Sequence, residues 1–290
     1  MTLDYSESGI AKINMLDYVQ KILDEMPKDM DGTATSPAAD YLFKITEGIE
    51  LLDEATSEFF HATVAKLLFV CKRGRPDLQT AIAFLCTRVQ NPTRHNYNKL
   101  ARVIKYLRKT RDLVLRLSAG NLNVIKWWVD ASYAVHRDMR SHTGGTMSMG
   151  TGAVYSASKK QKLNTKSSTE AELVGIDDIL PQALWTKYFM EAQGYGVNDS
   201  IINQDNQSSI LLEKHGRASS SKRTRHINIR YFFVTDRVAA KEVSVQYCPT
   251  GEMIADFFTK ALQGILFRKF RDFIMNCDPS NNSLQDHRSV

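Results

Sequence analysis

The sequence predicts an α/β fold in two parts, a mainly helical stretch over residues 1–120 and a sheet-forming domain over residues 121–275. Three observations lead there. Apolar residues recur at helical spacing between Phe59 and Leu107. From Val124 onward, short apolar runs that suit strands alternate with helical segments in the order β-β-β-α-β-α-α-β-α. Four acidic residues, Asp130, Glu172, Asp205 and Asp256, lie near the ends of those runs or the starts of those helices.

The elements follow in order. The sequence alternates weakly around Glu7-Ser8-Gly9, which suits a hairpin, and runs into a helix from Met15 to Met26. Residues 27–41 read as a polar connector. Helical periodicity returns in Phe59–Val70 and Leu78–Val89, separated by Lys72-Arg73-Gly74-Arg75-Pro76-Asp77. Asn91-Pro92-Thr93 opens a third helix, with proline at an early position where its missing N–H costs nothing. Leu100, Val103, Ile104 and Leu107 form its apolar stripe, and Arg94, Lys99, Arg102, Lys105, Arg108, Lys109 and Arg111 cover the rest, with no acid before Asp112. That cationic half is expected to face solvent or phosphate.

After Leu113–Leu117 and a turn at Ser118-Ala119-Gly120-Asn121, Val124–Ser132 is a near-continuous apolar run containing Asp130. Thr146–Gly150 and Ala153–Ser158 read as short strands around Gly150-Thr151-Gly152. A long helix spans Thr169–Gln193 with Leu173, Ile176, Leu180 and Leu184 inward; Pro181 predicts a kink or a break within it. Ser200–Asp205 is a strand, Gln207–Lys214 a short helix, Thr224–Val238 a longer one and Val243–Tyr247 a strand. The last helix begins at Ala255–Leu262 and continues towards Met275, and residues 276–290 are a polar tail expected to be disordered.

Composition narrows the class. The 290 residues are 43% hydrophobic and 24% charged, the mix of a soluble globular chain, and the net charge of +6 favours a polyanionic partner. Cys71, Cys86, Cys248 and Cys277 are too scattered to hold zinc and suit the reduced thiols of an intracellular protein. No apolar stretch approaches the ~18–20 residues that span a bilayer, and no signal peptide opens the chain. The expected setting is intracellular and cytoplasmic, with no membrane partner.

Each acid has an ordinary explanation. Asp130 would cap a strand-end turn, Asp205 would be the N-cap of the following helix, and Asp256 would complement a helix dipole. Glu170 and Glu172 both fit a capping box with Ser167 or Thr169. Glu172 is favoured for a site because it sits beside Leu173 and Ile176 at the edge of the buried face, whereas Glu170 points elsewhere. The alternative explanation gains from the four together. Adjacent parallel strands bring their carboxyl ends together, and clustered carboxylates raise one another's pKa unless cations intervene. Mg²⁺ prefers such hard oxygen ligands, and two ions about 3.5–4 Å apart are the common device for cutting a phosphodiester.

From about Phe59 to Phe273 the chain resembles the C-terminal part of a copia-type retrotransposon polyprotein, ending in its ribonuclease H domain. The resemblance rests on Arg75-Pro76-Asp77-Leu78, Asn91-Pro92-Thr93, Val103-Ile104-Lys105-Tyr106-Leu107 and Asp130-Ala131-Ser132. It continues in Ser158-Lys159-Lys160-Gln161-Lys162, Ser167-Ser168-Thr169-Glu170-Ala171-Glu172, Asp205-Asn206-Gln207-Ser208, Arg223-Thr224-Arg225-His226-Ile227 and Ala255-Asp256-Phe257-Phe258-Thr259-Lys260. It implies a mixed five-stranded sheet flanked by helices, preceded by a thumb- or connection-like end of a reverse transcriptase. It also implies Mg²⁺ dependence (two ions, with Mn²⁺ as the substitute), cleavage of the RNA strand of RNA/DNA hybrids, and Asp130, Glu172, Asp205 and Asp256 as catalytic metal ligands. The rest of a retrotransposon polyprotein is the implied protein partner, and a virus-like particle is a second implied location.

Two departures from that family matter. The Tyr-x-Asp-Asp polymerase motif is absent; the adjacent pair Asp177-Asp178 lies in a helical pattern, so polymerisation is not expected. Many cellular ribonucleases H carry a loop histidine before the last Asp, and Gln246–Glu252 has none, leaving Glu252 as a weak substitute. Hybrid contacts are expected from Arg102, Lys105 and Lys109 and from a second basic run holding Lys222, Arg223, Arg225 and His226, binding phosphates without reading sequence. The competing reading is a catalytically inactive, ribonuclease H-fold nucleic-acid-binding remnant. An integrase or transposase is disfavoured because there the Glu comes last, whereas Glu172 precedes Asp205.

Overall fold

A computed structural model describes residues 1–46, 48–215 and 228–277 of the chain. It divides into two compact units. One comprises Met1–Ala119, Thr151–Ala153 and the described part of Ala261–Val290; the other comprises Gly120–Gly150 and Val154–Lys260.

The first unit begins with strands β1 (Thr2–Asp4) and β2 (Ile10–Asn14), an antiparallel hairpin whose turn uses Gly9 at φ +75°. Helices α1 (Leu16–Asp24), α2 (Glu54–Arg73), α3 (Gln79–Cys86) and α4 (Arg94–Lys109) follow, then strand β3 (Leu115–Ala119), antiparallel to β2. Pro92 lies outside α4 rather than in its first turn. Thr93 is the N-cap, and its side chain and that of Asn96 close a reciprocal capping box. The stripe of Leu100, Val103, Ile104 and Leu107 is fully buried, as periodicity predicts.

The second unit carries β4 (Val124–Ser132), β5 (His142–Ser148), the two-residue β6 (Gly150–Thr151, shared across the unit boundary), β7 (Tyr155–Lys160) and α5 (Ser168–Ala192). Then come β8 (Asp199–Gln204), α6 (Gln207–His215), α7 (Asn228–Ala239), β9 (Ser244–Tyr247) and the short α8 (Asp256–Thr259). The last helix, α9 (Gly264–Met275), groups with the first unit. The single helix expected from Ala255 is therefore two: Lys260 turns extended, and α9 starts afresh at Gly264, whose φ is +60°.

The sheet of the second unit has five strands in the order β7-β5-β4-β8-β9. β7, β5 and β4 are antiparallel, while β4, β8 and β9 are parallel, so the fold is α/β with the mixed five-stranded sheet that was expected. Alternation along β4 builds both faces. Trp127 and Val129 join Ile176, Ile179, Leu180 and Ala183 of α5 in the main core, while Trp128 packs on Cys248, Met253 and Ala255. Two glycines set how closely helices approach β5. A Cβ on Gly145 would meet Ile179 of α5 at 2.7 Å, and one on Gly144 would meet Thr259 of α8 at 2.6 Å and the Ala255 carbonyl at 2.9 Å.

Helix α5 runs unbroken through Pro181, so the expected alternative of a break into two helices does not occur. Pro181 is on the exposed face, where water can satisfy the carbonyl that its missing N–H would have bonded. Strand β5 also starts earlier than its sequence suggests, because its polar, glycine-rich first half is buried under helices rather than lying in a loop. The four cysteines are free thiols, and among the described residues no helix is long and apolar enough to cross a membrane.

Candidate functional site

The strand register brings the acids together. Trp128 of β4 pairs in parallel with Asn203 of β8, and two residues further on Asp130 on β4 and Asp205, just past the end of β8, come close together. Asp256 enters the same edge as the first residue of α8. Among the described residues, Asp130, Asp205 and Asp256 each offer a carboxylate oxygen within 4.8 Å of one another. Asp130 is 2% and Asp256 4% exposed, and Asp205 is half-buried.

The capping roles open to Asp205 and Glu172 are taken by other residues, whereas Asp256 does stand in the first turn of α8. Asn206, not Asp205, caps α6 by accepting from the Ser209 N–H at 3.0 Å. At the start of α5, Ser167 accepts from the Glu170 N–H at 3.2 Å and Glu170 in turn accepts from the Lys166 N–H at 2.6 Å. Glu170 is thus the capping partner, and Glu172 turns to the sheet edge. Its Oε2 accepts from Gln204 Nε2 at 3.2 Å, and the Gln204 amide is oriented by accepting from the Asn206 N–H at 2.9 Å. Glu172 stands outside the tight three-residue group yet feels the charges of Asp130 and Asp205.

Electrostatics mark the cluster as short of positive charge. Burial first, then the charge of Asp130, pushes Glu172 well above the usual carboxylate range. The same two causes, in the same order, raise Asp205 and lift Asp256 to about 7. Among the described residues, Lys260 is the cation beside them: its Nζ lies 2.7 Å from Asp256 Oδ1 and 3.7 Å from Asp130 Oδ2. Hydroxyls orient the carboxylates, Thr259 donating to Asp130 and Thr250 to Asp205 at 3.2 Å. Thr259 and Lys260 were not among the expected site residues. Their signal was the helical spacing i+3 and i+4 from Asp256, which places them on its face.

The donor set fits divalent magnesium. All ligand atoms are hard carboxylate oxygens, and they lie within 4.8 Å of one another.

Of the expected nucleic-acid contacts, three belong to the first unit and four fall outside the described residues. Arg102, Lys105 and Lys109 are on α4 in the first unit; Lys109 is exposed, and Arg102 is half-buried and donates to Ser36 Oγ at 3.0 Å. Lys222, Arg223, Arg225 and His226 fall outside the described residues. Asp178, of the one adjacent Asp pair, accepts from Thr143 at 3.1 Å and lies 3.6 Å from Lys159, a structural pairing on the side of α5.

No family model matches the chain. It is 25% identical over 263 residues to the retrovirus-related Pol polyprotein from transposon TNT 1-94 of Nicotiana tabacum, covering 89% of this chain and 20% of that one. It is 30% identical over 198 residues to the corresponding polyprotein from transposon RE2 of Arabidopsis thaliana, covering 68% of this chain and 14% of that one. The N-terminal ribonuclease H domain of rv2228c from Mycobacterium tuberculosis aligns with a TM-score of 0.35 at 10% identity, over 47% of this chain and 90% of that one. The chain thus spans a fifth or less of the length of these two polyproteins. Its homologues, over much of its length, are retrovirus-related Pol polyproteins of copia-type transposons.

Proposed function

We propose that the second unit is a Mg²⁺-dependent ribonuclease H that hydrolyses the RNA strand of RNA/DNA hybrids, within a retrotransposon polyprotein. The observation that carries this reading is the convergence of Asp130, Asp205 and Asp256 to within 4.8 Å, with Glu172 electrostatically joined to them. Bound Mg²⁺ would supply an activated water and stabilise the leaving oxygen. The chain's own residues do the rest. Asp130, Glu172, Asp205 and Asp256 present the ligand oxygens. Thr259 and Thr250 hold Asp130 and Asp205 in orientation, and Gln204 holds Glu172. Lys260 balances part of the negative charge. An A-like hybrid would bind through its phosphates, with Arg102, Lys105, Lys109, Lys222, Arg223, Arg225 and His226 as proposed contacts, and its 2′-hydroxyls would mark the strand to be cut.

The first 120 residues are proposed to be the thumb- or connection-like end of a reverse transcriptase, without polymerase activity. Retention of all four acids, with the capping duties open to Asp205 and Glu172 met by Asn206 and Glu170, favours an active nuclease over an inactive binding remnant. The test is incubation with a labelled RNA/DNA hybrid with and without Mg²⁺. Cleavage of the RNA strand only when Mg²⁺ is present supports the reading; intact hybrid that is nonetheless bound leaves the binding remnant.

A further inference from the structure

We propose that His136, His142 and Ser158 form a buried hydrogen-bond chain that positions α8, and with it Asp256, in the carboxylate cluster; this rests on the nuclease reading above. Helix α8 is four residues long, too short to be stable by its own hydrogen bonds. It is held by the sheet instead. Its carbonyls accept from two strand hydroxyls, Phe258 O from Ser158 at 2.7 Å and Thr259 O from Ser132 at 3.1 Å, and Gly144 lets it approach β5 closely.

The direction of the chain follows from counting protons. Ser158 has one hydroxyl proton and gives it to Phe258 O, so the bond between His142 Nε2 and Ser158 Oγ, 2.7 Å long, must be donated by the histidine. His142 then carries its proton on Nε2, and its Nδ1 accepts from His136 Nε2 at 3.0 Å. Each donor has one acceptor: His136 to His142, His142 to Ser158, Ser158 to Phe258. His142 is 0% and His136 3% exposed. Burial, then the charge of His136, holds His142 down at about 3, so its neutral tautomer persists at ordinary pH. Two buried imidazoles cost more than an apolar pair filling the same space unless their hydrogen bonds are used. Their use here is to fix the Ser158 rotor, which on an isolated strand would turn freely away from Phe258.

The first test needs neither metal nor nucleic acid. Nitrogen-15 NMR should find the His142 proton on Nε2, and Ser158→Ala should speed amide exchange at Phe258 and Lys260 by about tenfold relative to Val129 and Ile202, the effect of losing one buried hydrogen bond. Ser158→Thr, which keeps the hydroxyl, should restore protection. With hybrid present, Ser158→Ala should raise the Mg²⁺ concentration giving half-maximal rate by about tenfold and leave the KM for hybrid unchanged. A proton on Nδ1 of His142, or unchanged exchange in α8, overturns the chain of bonds. An unchanged Mg²⁺ requirement in a protein whose wild type cleaves overturns the positioning role. If the wild type does not cleave, the nuclease reading falls while tautomer and exchange still decide the hydrogen-bond chain.

Discussion

Two buried charged clusters among the described residues, one in each unit, are built on opposite principles. In the first unit Arg75 clasps Asp77 through two parallel bonds of 2.9 and 2.8 Å, and also donates to Thr110 O and Thr110 Oγ1 at 2.9 and 2.7 Å. Tyr106 completes Asp77 with a bond of 2.8 Å. Charge is balanced one to one, and all four residues are buried. In the second unit four acids share one nearby lysine, and three of them are raised in pKa, by burial first and by one another next. The first cluster is satisfied by the fold alone. The second is left in deficit, which a fold tolerates where a cation is to be recruited.

The sharpest way to separate the two is to remove one acid from each. Asp130→Asn or Asp205→Asn is expected to abolish hybrid cleavage while leaving hybrid binding intact, with no loss of metal-free stability, because a repelling charge has gone. Undiminished turnover in either variant would remove that residue from the ligand set. Asp77→Ala is expected to destabilise the chain by about 3–5 kcal/mol, since it strands the Arg75 guanidinium in the core; chemical denaturation measures this. A loss below 1 kcal/mol would mean that the Arg75 cluster is not the closed unit its bond lengths suggest.

The pH dependence sharpens the contrast further. The folded pKa of Asp256, about 7, lies above its ordinary 3.8, so between those values the folded state holds a proton that the unfolded chain has released. Its contribution to metal-free stability is therefore fully present below about pH 4 and lost as pH rises towards 7. His142 acts with the opposite sign: its folded pKa of about 3 lies below the ordinary 6.5, so its contribution is lost as pH falls from 6.5 towards 3. In EDTA, the stability of wild type minus that of Asp256→Asn should decline from pH 4 to 7, as read by thermal unfolding; a flat or rising difference would refute the raised pKa. The smallest effect expected is at the start of α5. Glu170→Gln should cost ~1 kcal/mol of capping and keep activity, whereas Glu172→Gln should lose activity and keep stability.

Much of this was legible in the sequence because local signals and tertiary demands agreed. Val124–Ser132 is apolar on both faces, so its strand was evident and its bounds match β4. Leu173, Ile176, Leu180 and Leu184 carried the inward face of α5. The unreadable parts depend on partners distant in the chain. His142-Thr143-Gly144-Gly145 has the composition of a loop, and it is a strand only because α8 and Ile179 need the space that the glycines leave. Pro181 spoke for a kink or a break, and its position on the exposed face lets the helix continue without a break. In the site, the identity of the acids was visible but not the choice between capping and ligation, which depends on Asn206 capping α6 and on Ser167 and Glu170 capping α5. His136 and His142 carried no signal, since one is in a loop and the other in a strand, and only the fold makes them neighbours.

The claim that the second cluster awaits cations is tested most directly by calorimetric titration of Mg²⁺ into the metal-free protein, beside the Asp130→Asn/Asp205→Asn double variant. Saturable binding in the wild type that is lost in the double variant, with a matching rise in thermal stability by mass action, is the expected result. Absence of binding in the wild type, or equal binding in both proteins, would contradict it.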